Sequence, residues 1–584
     1  MLYPQENKTR EVKDLSGIWK FKVDNNSAGS KESWHTAPLT GTIPMPVPSS
    51  YNDITQQASI RDHIGNVWYE TSFHVPQRLQ TDKRLVLRFG SVTHQAAVWI
   101  NGKEVIRHKG GFLPFEADIT EYVDNSEKNT LTVMANNELS WQTLPPGETI
   151  HSSTIKKQEY HFDFFNYAGI HRPVKLLFRP SIYIKDISVK TDIEGNTGKI
   201  DYTVTASDKI NCKVTLFEDN GKMICAAENL SGQFPISSPK LWDTKNPYLY
   251  KLKVELINDQ KNLIDEYELP VGIRTVKIID NKLLLNDREI YLKGFGKHED
   301  SLIRGRGLDN CTNVKDLNLL KWINANSFRT SHYPYSEEIM NLADQYGILI
   351  IDECPAVGMY YFGENDKKIF SPERVNNDTL QHHIDTMTDL VKRDKNHPSV
   401  IMWSVANEAA TEEEAALAYF EKVIARTREL DSTRPITMAQ FSDPDKCKVS
   451  GLLDIICINR YYSWYINPGK LETIEPDMKN DLLKWHTRFK KPIIISEYGA
   501  DTISGFHSDP PVMFSEEYQI QMLDRFHQVF DSLDFVIGEH VWNFADFATK
   551  QGITRVMGNK KGVFTRDRQP KMVAHSLKKR WSEK

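Results

Sequence analysis

Apolar and polar residues alternate in short runs at 17–23, 67–75, 84–89 and 96–102, the period of strands with one buried face. Gly, Asn and Pro separate these runs, and Asn101-Gly102 is a strong two-residue hairpin signal. Residues 1–180 therefore read as a jelly-roll β-sandwich. The alternation continues at 199–205 and 248–254, and segment 181–275 has the length and strand spacing of an immunoglobulin-like sandwich. From 276 to 584 the rhythm changes. Candidate strands fall at 290–296, 326–331, 348–353, 399–406, 436–440, 454–460, 491–497 and 536–543, and the apolar stretches within 399–406 and 491–497 are the mark of parallel strands buried on both faces. Helical stretches lie between them. The clearest is 412–430, with Thr411 as its expected cap and acidic residues in its first turn. Eight such strands predict a (β/α)8 TIM barrel as the third domain.

Composition narrows the picture. A chain of 584 residues exceeds the roughly 250–300 at which one core stops growing, in keeping with several domains. A net charge of -5 offers no electrostatic case for nucleic acid or for an anionic membrane surface. No run reaches the roughly 18 apolar residues of a membrane span. The stretch from Met1 to Lys8 lacks the basic start and apolar core of a secretory signal. The six cysteines (Cys212, Cys225, Cys311, Cys354, Cys447, Cys457) include no CxxC pair. That argues against a disulfide framework and a zinc knuckle, and points to a reduced, cytoplasmic setting. The 12 Trp and 23 Tyr suit stacking on pyranose faces, but aromatics of this number also simply fill cores.

Two acids stand out against this background. Glu408 ends the run that begins at Ser399, and Glu497 ends the run from Pro492. A charged group at such a position lies at the carboxyl edge of a barrel, where active sites form. On the strand count these are the fourth and seventh strands, which face each other across the barrel mouth. Two converging carboxylates are the equipment of a glycosidase, and a retaining enzyme needs them about 5–5.5 Å apart. One attacks the anomeric carbon while the other protonates the departing oxygen and then deprotonates water. Either glutamate alone reads as well as a salt bridge or a helix cap.

Five segments carry a family likeness: Asn407-Glu408, Ser496-Glu497-Tyr498-Gly499, and the stretches 329–335, 459–465 and 541–547. In these, and in the order of its three domains, the chain resembles the β-glucuronidases of glycoside hydrolase family 2. The resemblance implies that Glu408 is the acid/base and Glu497 the nucleophile. It implies that Asn407 bonds the sugar 2-hydroxyl and that Tyr461 lies beside the nucleophile. Asn459, Tyr465 and Trp542 fall within the same segments and are expected at the substrate. The segment 555–568 is similar to the family's Asn-x-Lys loop, which makes Asn559 and Lys561, with Arg555 close by, readers of the C6 carboxylate. Asp163, in the aromatic loop 161–172, is expected to reach the sugar 3- and 4-hydroxyls from the sandwich domain. Small-molecule glucuronides are the implied substrates, and a homotetramer is the implied assembly.

His298 and His332 follow the first and second strands. His298 is expected to brace the glutamates and His332 to touch substrate, while Glu299 and Asp300 read as structural. The two histidines lack metal-ligand spacing and no third ligand presents itself, so neither a metal nor a cofactor is expected. The insert between Val357 and His383 is shorter than in the best-known bacterial members and should overhang the leaving group. Glu408 is expected to rest protonated, its pKa raised by partial burial and by Glu497. The rival readings are a β-galacturonidase or neutral-sugar glycosidase on the same scaffold, and a carbohydrate-binding protein without catalysis.

Overall fold

The alternation of the first 180 residues builds two sheets. A computed structural model describes residues 1–76, 83–152, 156–360 and 367–584. Ile43–Val47, Gly17–Val23, Asn66–Phe73, Asn129–Asn136, Gln95–Ile100 and Lys103–Lys109 lie side by side in a six-stranded sheet. Glu11–Asp14, Val174–Pro180, Lys83–Phe89 and Phe115–Asp118 form a four-stranded one. Inward residues from both, among them Trp19, Phe21, Tyr69, Leu87, Val98, Leu131 and Leu176, make one apolar core. The Asn101-Gly102 signal is realised. Ile100 pairs with Lys103, and the two turn residues take φ of 51° and 78°, the left-handed pair that a tight hairpin demands.

The second unit packs the three-stranded sheet Ile184–Glu194, Thr197–Ala206, Ser231–Ser237 against the four-stranded Met223–Ala227, Asn211–Phe217, Tyr250–Ile257, Leu263–Val271. In–out burial is clearest in Tyr250–Ile257, where every second residue is buried. Those residues meet Ile187, Tyr202, Val214 and Leu216 in a separate core.

Eight parallel strands then close into a barrel. They are β1 (Leu292–Gly296), β2 (Ser327–Arg329), β3 (Leu349–Glu353), β4 (Val400–Asn407), β5 (Ile436–Gln440), β6 (Ile456–Asn459), β7 (Ile493–Glu497) and β8 (Val536–Val541). All residues of β4 are buried, which is why its sequence runs apolar without alternation. The antiparallel strands Val276–Ile279 and Lys282–Leu285 precede the barrel, and Leu283 and Leu285 pack with Leu292, Ile351, Met402 and Ile494. Helices α1 (Asn310–Trp322), α2 (Glu337–Tyr346), α3 (Asn377–Asp394), α4 (Glu414–Leu430), α5 (Ile474–Phe489), α6 (Glu516–Asp531) and α7 (Met572–Glu583) form the outer layer.

Two details depart from the sequence reading. Between β5 and β6 the described chain forms only a 3-10 turn at Ser450–Leu452; Pro444 and Gly451 in that connection disfavour a helix. Helix α4 begins at Glu414, and Thr411 does not cap it. The Thr411 hydroxyl instead bonds Gln440 Oε1 (3.1 Å) and Ser442 Oγ (2.9 Å), because the chain first turns across the end of β5. No helix among the described residues is long and apolar enough to cross a membrane.

Candidate active site

Strands β2 to β7 each end in a polar residue, and several of these ends converge. Glu497 is the last residue of β7 and is 4% exposed. Its Oε1 is ion-paired with the Arg329 guanidinium, its Oε2 accepts from the Tyr461 hydroxyl at 2.7 Å, and His332 Nε2 stands 3.7 Å from Oε1. Glu408 follows β4 and is half-buried. Its φ of 50° lies in the left-handed region, which costs a non-glycine residue about 1–2 kcal/mol. The Glu408 amide donating to Ala439 O (2.9 Å) helps hold the turn, and its Oε1 accepts from Asn459 Nδ2 at 2.8 Å.

Asn459 and Asn407, the last residues of β6 and β4, connect the acids. Asn459 Nδ2 also donates to Asn407 Oδ1 (3.1 Å), while its Oδ1 accepts from Ser496 Oγ (2.7 Å). Asn407 Oδ1 accepts from Arg329 as well, at 3.3 Å. Its oxygen thus accepts twice.

Arg329 and Glu353 are the residues that sequence reasoning left without a role. Arg329, the last residue of β2, is fully buried, and its Nη1 lies 2.8 and 2.7 Å from the two oxygens of Glu353. Glu353 ends β3 and also accepts from Ser404 Oγ (2.7 Å) and His332 Nδ1 (2.8 Å). The signal was present: 348–351 is another apolar run, and it stops at the acidic pair Asp352-Glu353.

His332 therefore orients the carboxylates. His298 does not, contrary to the sequence reading: its Nδ1 meets the Tyr333 hydroxyl at 3.1 Å, and its ring packs on Phe547 and Trp542. The Trp542 indole stacks on His332 with centroids 5.0 Å apart. Gly499 is required beside it, since a Cβ there would lie 2.2 Å from Trp542 O. Glu299 and Asp300 are structural. The first accepts from the Ser336 amide at 2.7 Å and pairs with Arg172, and the second accepts from the Ala548 amide at 3.1 Å and pairs with Arg566.

Electrostatics separate the two glutamates. Burial pushes Glu497 up to about 7, opposed by Arg329 and His332, raised further by Glu408, and opposed again by the Tyr461 hydroxyl. Burial also raises Glu408, opposed by Asn459, Arg329 and Arg460, with Glu353 adding to the rise. For Glu353 burial works upward too, but Arg329, His332 and Ser404 outweigh it and hold the carboxyl below its ordinary value. A guanidinium and a hydroxyl favour the anion at Glu497, whereas Glu408 has one neutral amide donor. The larger rise nonetheless falls on Glu497.

The loop after β8 forms the far wall. Asn559 Nδ2 donates to Asp163 Oδ2 (2.7 Å) and Arg555 Nε to Asp163 Oδ1 (2.7 Å). Arg555 Nη2 and Lys561 Nζ both donate to the Tyr465 hydroxyl, at 2.7 and 2.9 Å. Lys561, 1% exposed, is also ion-paired with Asp501, another residue without a role in the sequence reading. Its Nζ lies 5.7 Å from the ring of Tyr461, whose hydroxyl bonds Glu497. The wall is thus joined to the glutamates through one side chain. Asp163 comes from the sandwich domain, and its loop is stitched in by the Phe165 amide donating to Ala548 O (2.9 Å) and by a Phe164–Thr549 bridge.

Past β3, residues 361–366 lie outside the described residues, and the leaving-group insert falls partly on them. Its described flank is tied to the Glu408 turn by Asn407 N to Ala356 O (3.0 Å) and Ala410 N to Met359 O (2.9 Å). No group of three or more His, Cys, Asp or Glu among the described residues is arranged to hold a metal.

Three family models match the chain. "Glycosyl hydrolases family 2, sugar binding domain" covers 12–180, "Glycosyl hydrolases family 2" covers 182–274, and "Glycosyl hydrolases family 2, TIM barrel domain" covers 276–584. A curated β-glucuronidase of Paenibacillus borealis is 55% identical over all of this chain and 99% of its own length. That of Rattus norvegicus is 46% identical over all of this chain and 92% of its own. Among solved structures, the β-D-glucuronidase of Dictyoglomus thermophilum superposes with TM-score 0.95 at 52% identity, covering 100% of this chain and 99% of that one. The Ruminococcus gnavus β-glucuronidase in complex with uronic isofagomine gives 0.97 at 42%, covering 100% and 98%.

Proposed function

Since the chain belongs to family 2 of the glycosyl hydrolases, we propose that it is an exo-acting β-glucuronidase. It hydrolyses terminal β-D-glucuronides to glucuronic acid and an alcohol or phenol, by double displacement with retention. The observation that carries the choice of sugar is the wall of Asn559, Lys561 and Arg555, linked through Tyr461 to Glu497.

In this reading Glu497, anionic beside Arg329, attacks the anomeric carbon. Glu408 gives its proton to the leaving oxygen. The aglycone departs as an alcohol, and a glycosyl ester remains on Glu497. Esterification removes the negative charge of Glu497. Glu408, now anionic, takes a proton from water, and the hydroxide attacks the anomeric carbon from the face the aglycone left. Glucuronic acid is released with its original β configuration. Asn407 offers its amide nitrogen to the 2-hydroxyl, where a hydrogen bond strengthens as positive charge builds on the ring. Tyr461 steadies the nucleophile. Asn459 orients Glu408. His332 and Trp542 line the sugar, Asp163 meets its 3- and 4-hydroxyls, and Tyr465 with the Asn559, Lys561 and Arg555 wall reads the carboxylate.

The deciding assay sets 4-nitrophenyl β-D-glucuronide beside the galacturonide, galactoside and glucoside. The glucuronide should turn over at least 100-fold faster, and the first product seen by proton NMR should be the β anomer. Preference for a neutral sugar would refute the reading of Asn559 and Lys561, and an α product would refute the roles of both glutamates. Binding without turnover, unchanged by Glu408→Gln, would favour a binding protein.

We propose domain limits of 1–180, 181–275 and 276–584, a cytoplasmic setting supported by six unpaired cysteines, and a homotetramer. Light scattering on purified protein tests the last.

A further inference from the structure

We propose that Asp501 is a positioning residue for substrate selection. By holding the Lys561 ammonium against an aromatic cage, it makes that ammonium able to tell a uronic acid from a neutral sugar. The inference rests on the reading of the site as a glucuronate site.

Asp501 lies four residues past Glu497, in the loop that leaves β7, and is 2% exposed. Its Oδ1 accepts from the Lys560 amide at 2.8 Å, which ties it to the loop after β8, and its Oδ2 is paired with Lys561 Nζ. An ammonium has three N–H donors. One goes to Asp501 and one to the Tyr465 hydroxyl at 2.9 Å; the third has no protein acceptor among the described residues. The rings of Tyr465, Trp464 and Tyr461 lie 4.7, 5.1 and 5.7 Å from Nζ. Three aromatic walls and one carboxylate therefore leave the ammonium a single open direction.

Charge adds a second reason. Arg555 and Lys561 are matched by Asp163 and Asp501, with Arg555 Nη1 3.7 Å from Asp501 Oδ2. Two cations against two anions give the wall no net charge, so long-range attraction does not select a carboxylate. Selection rests on where the free donors point. A lysine stem has four rotatable bonds and no preferred fork. Without Asp501, a buried ammonium has only one hydroxyl to hold it, and its free N–H loses its aim.

The test is a double-mutant cycle read with two iminosugar inhibitors that differ only at the position matching C6, one carrying a carboxylate and the other a hydroxymethyl group. Asp501→Ala should weaken binding of the carboxylate inhibitor at least tenfold, with the neutral one unchanged within twofold. In a Lys561→Gln background the same change should alter carboxylate binding less than twofold, because Asp501 acts through the lysine. Asp501→Asn keeps an acceptor for the Lys560 amide and guards against an unfolded variant; it should show the same selective loss, at least fivefold. Equal losses for both inhibitors, equal losses in both backgrounds, or tighter carboxylate binding would overturn the inference. A wild-type enzyme that does not prefer the carboxylate inhibitor would overturn the glucuronate reading itself.

Discussion

Arg329→Lys should move the acid limb of activity to higher pH. The guanidinium bridges two acids at once, with Nη2 on Glu497 and Nη1 within 2.8 Å of both oxygens of Glu353. A lysine keeps the charge but is a single point without the fork. It will settle on Glu353, the neighbour on the adjacent strand, which also draws His332 and Ser404. Glu497 then keeps Tyr461 and loses its strongest partner. A hydrogen bond to a charged group contributes about 1.5–3 kcal/mol, which at 1.36 kcal/mol per unit raises the carboxyl by roughly 1–2 units. The direction is unambiguous: Arg329 opposes the rise of Glu497 to about 7, so weakening the contact raises it further. With Glu497 as the proposed nucleophile the active form is the anion, so kcat/KM at neutral pH should fall about tenfold for each unit. The assay is kcat/KM for 4-nitrophenyl β-D-glucuronide from pH 4 to 9, for wild type and variant, with circular dichroism to confirm the fold. An acid limb that stays in place while activity falls uniformly would refute the reasoning. So would a limb displaced to lower pH.

Four further outcomes follow from the structure. In the wild type, kcat/KM should fall about tenfold per pH unit below the Glu497 value of about 7, and a profile flat to pH 4 would remove burial as the dominant influence. Glu408→Gln should abolish turnover of poor leaving groups while sparing the first step for an activated phenol, so a pre-steady-state burst is expected; equal loss for both would unseat Glu408 as the acid. Lys561→Gln should cost about 2–4 kcal/mol of transition-state binding, a loss of about 30- to 1000-fold in kcat/KM for glucuronides; a loss under fivefold would contradict its role. Arg88→Met leaves Glu337, paired at 2.8 Å across the sandwich–barrel seam, without that partner. It should destabilise the protein by about 3–5 kcal/mol, read as a lowered thermal transition, and an unchanged transition would show the pair to be dispensable.

The sequence carried the strand ends well because burial on both faces leaves a visible mark. A run such as 399–406 carries no charged residue to hide its boundary, and Glu408 and Glu497 are conspicuous where the runs stop. Arg329, Glu353 and Asp501 were harder to read. Their importance lies in partners 24, 168 and 60 residues away, and no local pattern encodes which side chains of a closed barrel face one another. Thr411 misled for a related reason. A threonine before acidic residues matches a helix cap, but its hydroxyl is claimed by Gln440 and Ser442, about 30 residues on. His298 and His332 show the limit for residues at similar positions on neighbouring strands. Only the packing of Tyr333, Phe547 and Trp542 decides which imidazole meets the carboxylates.

The 160–167 loop bears on how such enzymes diversify. One residue of the first sandwich grips the wall proposed to read the sugar, and backbone pairing fastens it there. The barrel is consequently not a portable cassette. In a chimaera that swaps the amino-terminal third between relatives, part of the ligand preference should travel with the donor of that third, however distant it looks from the reacting bond.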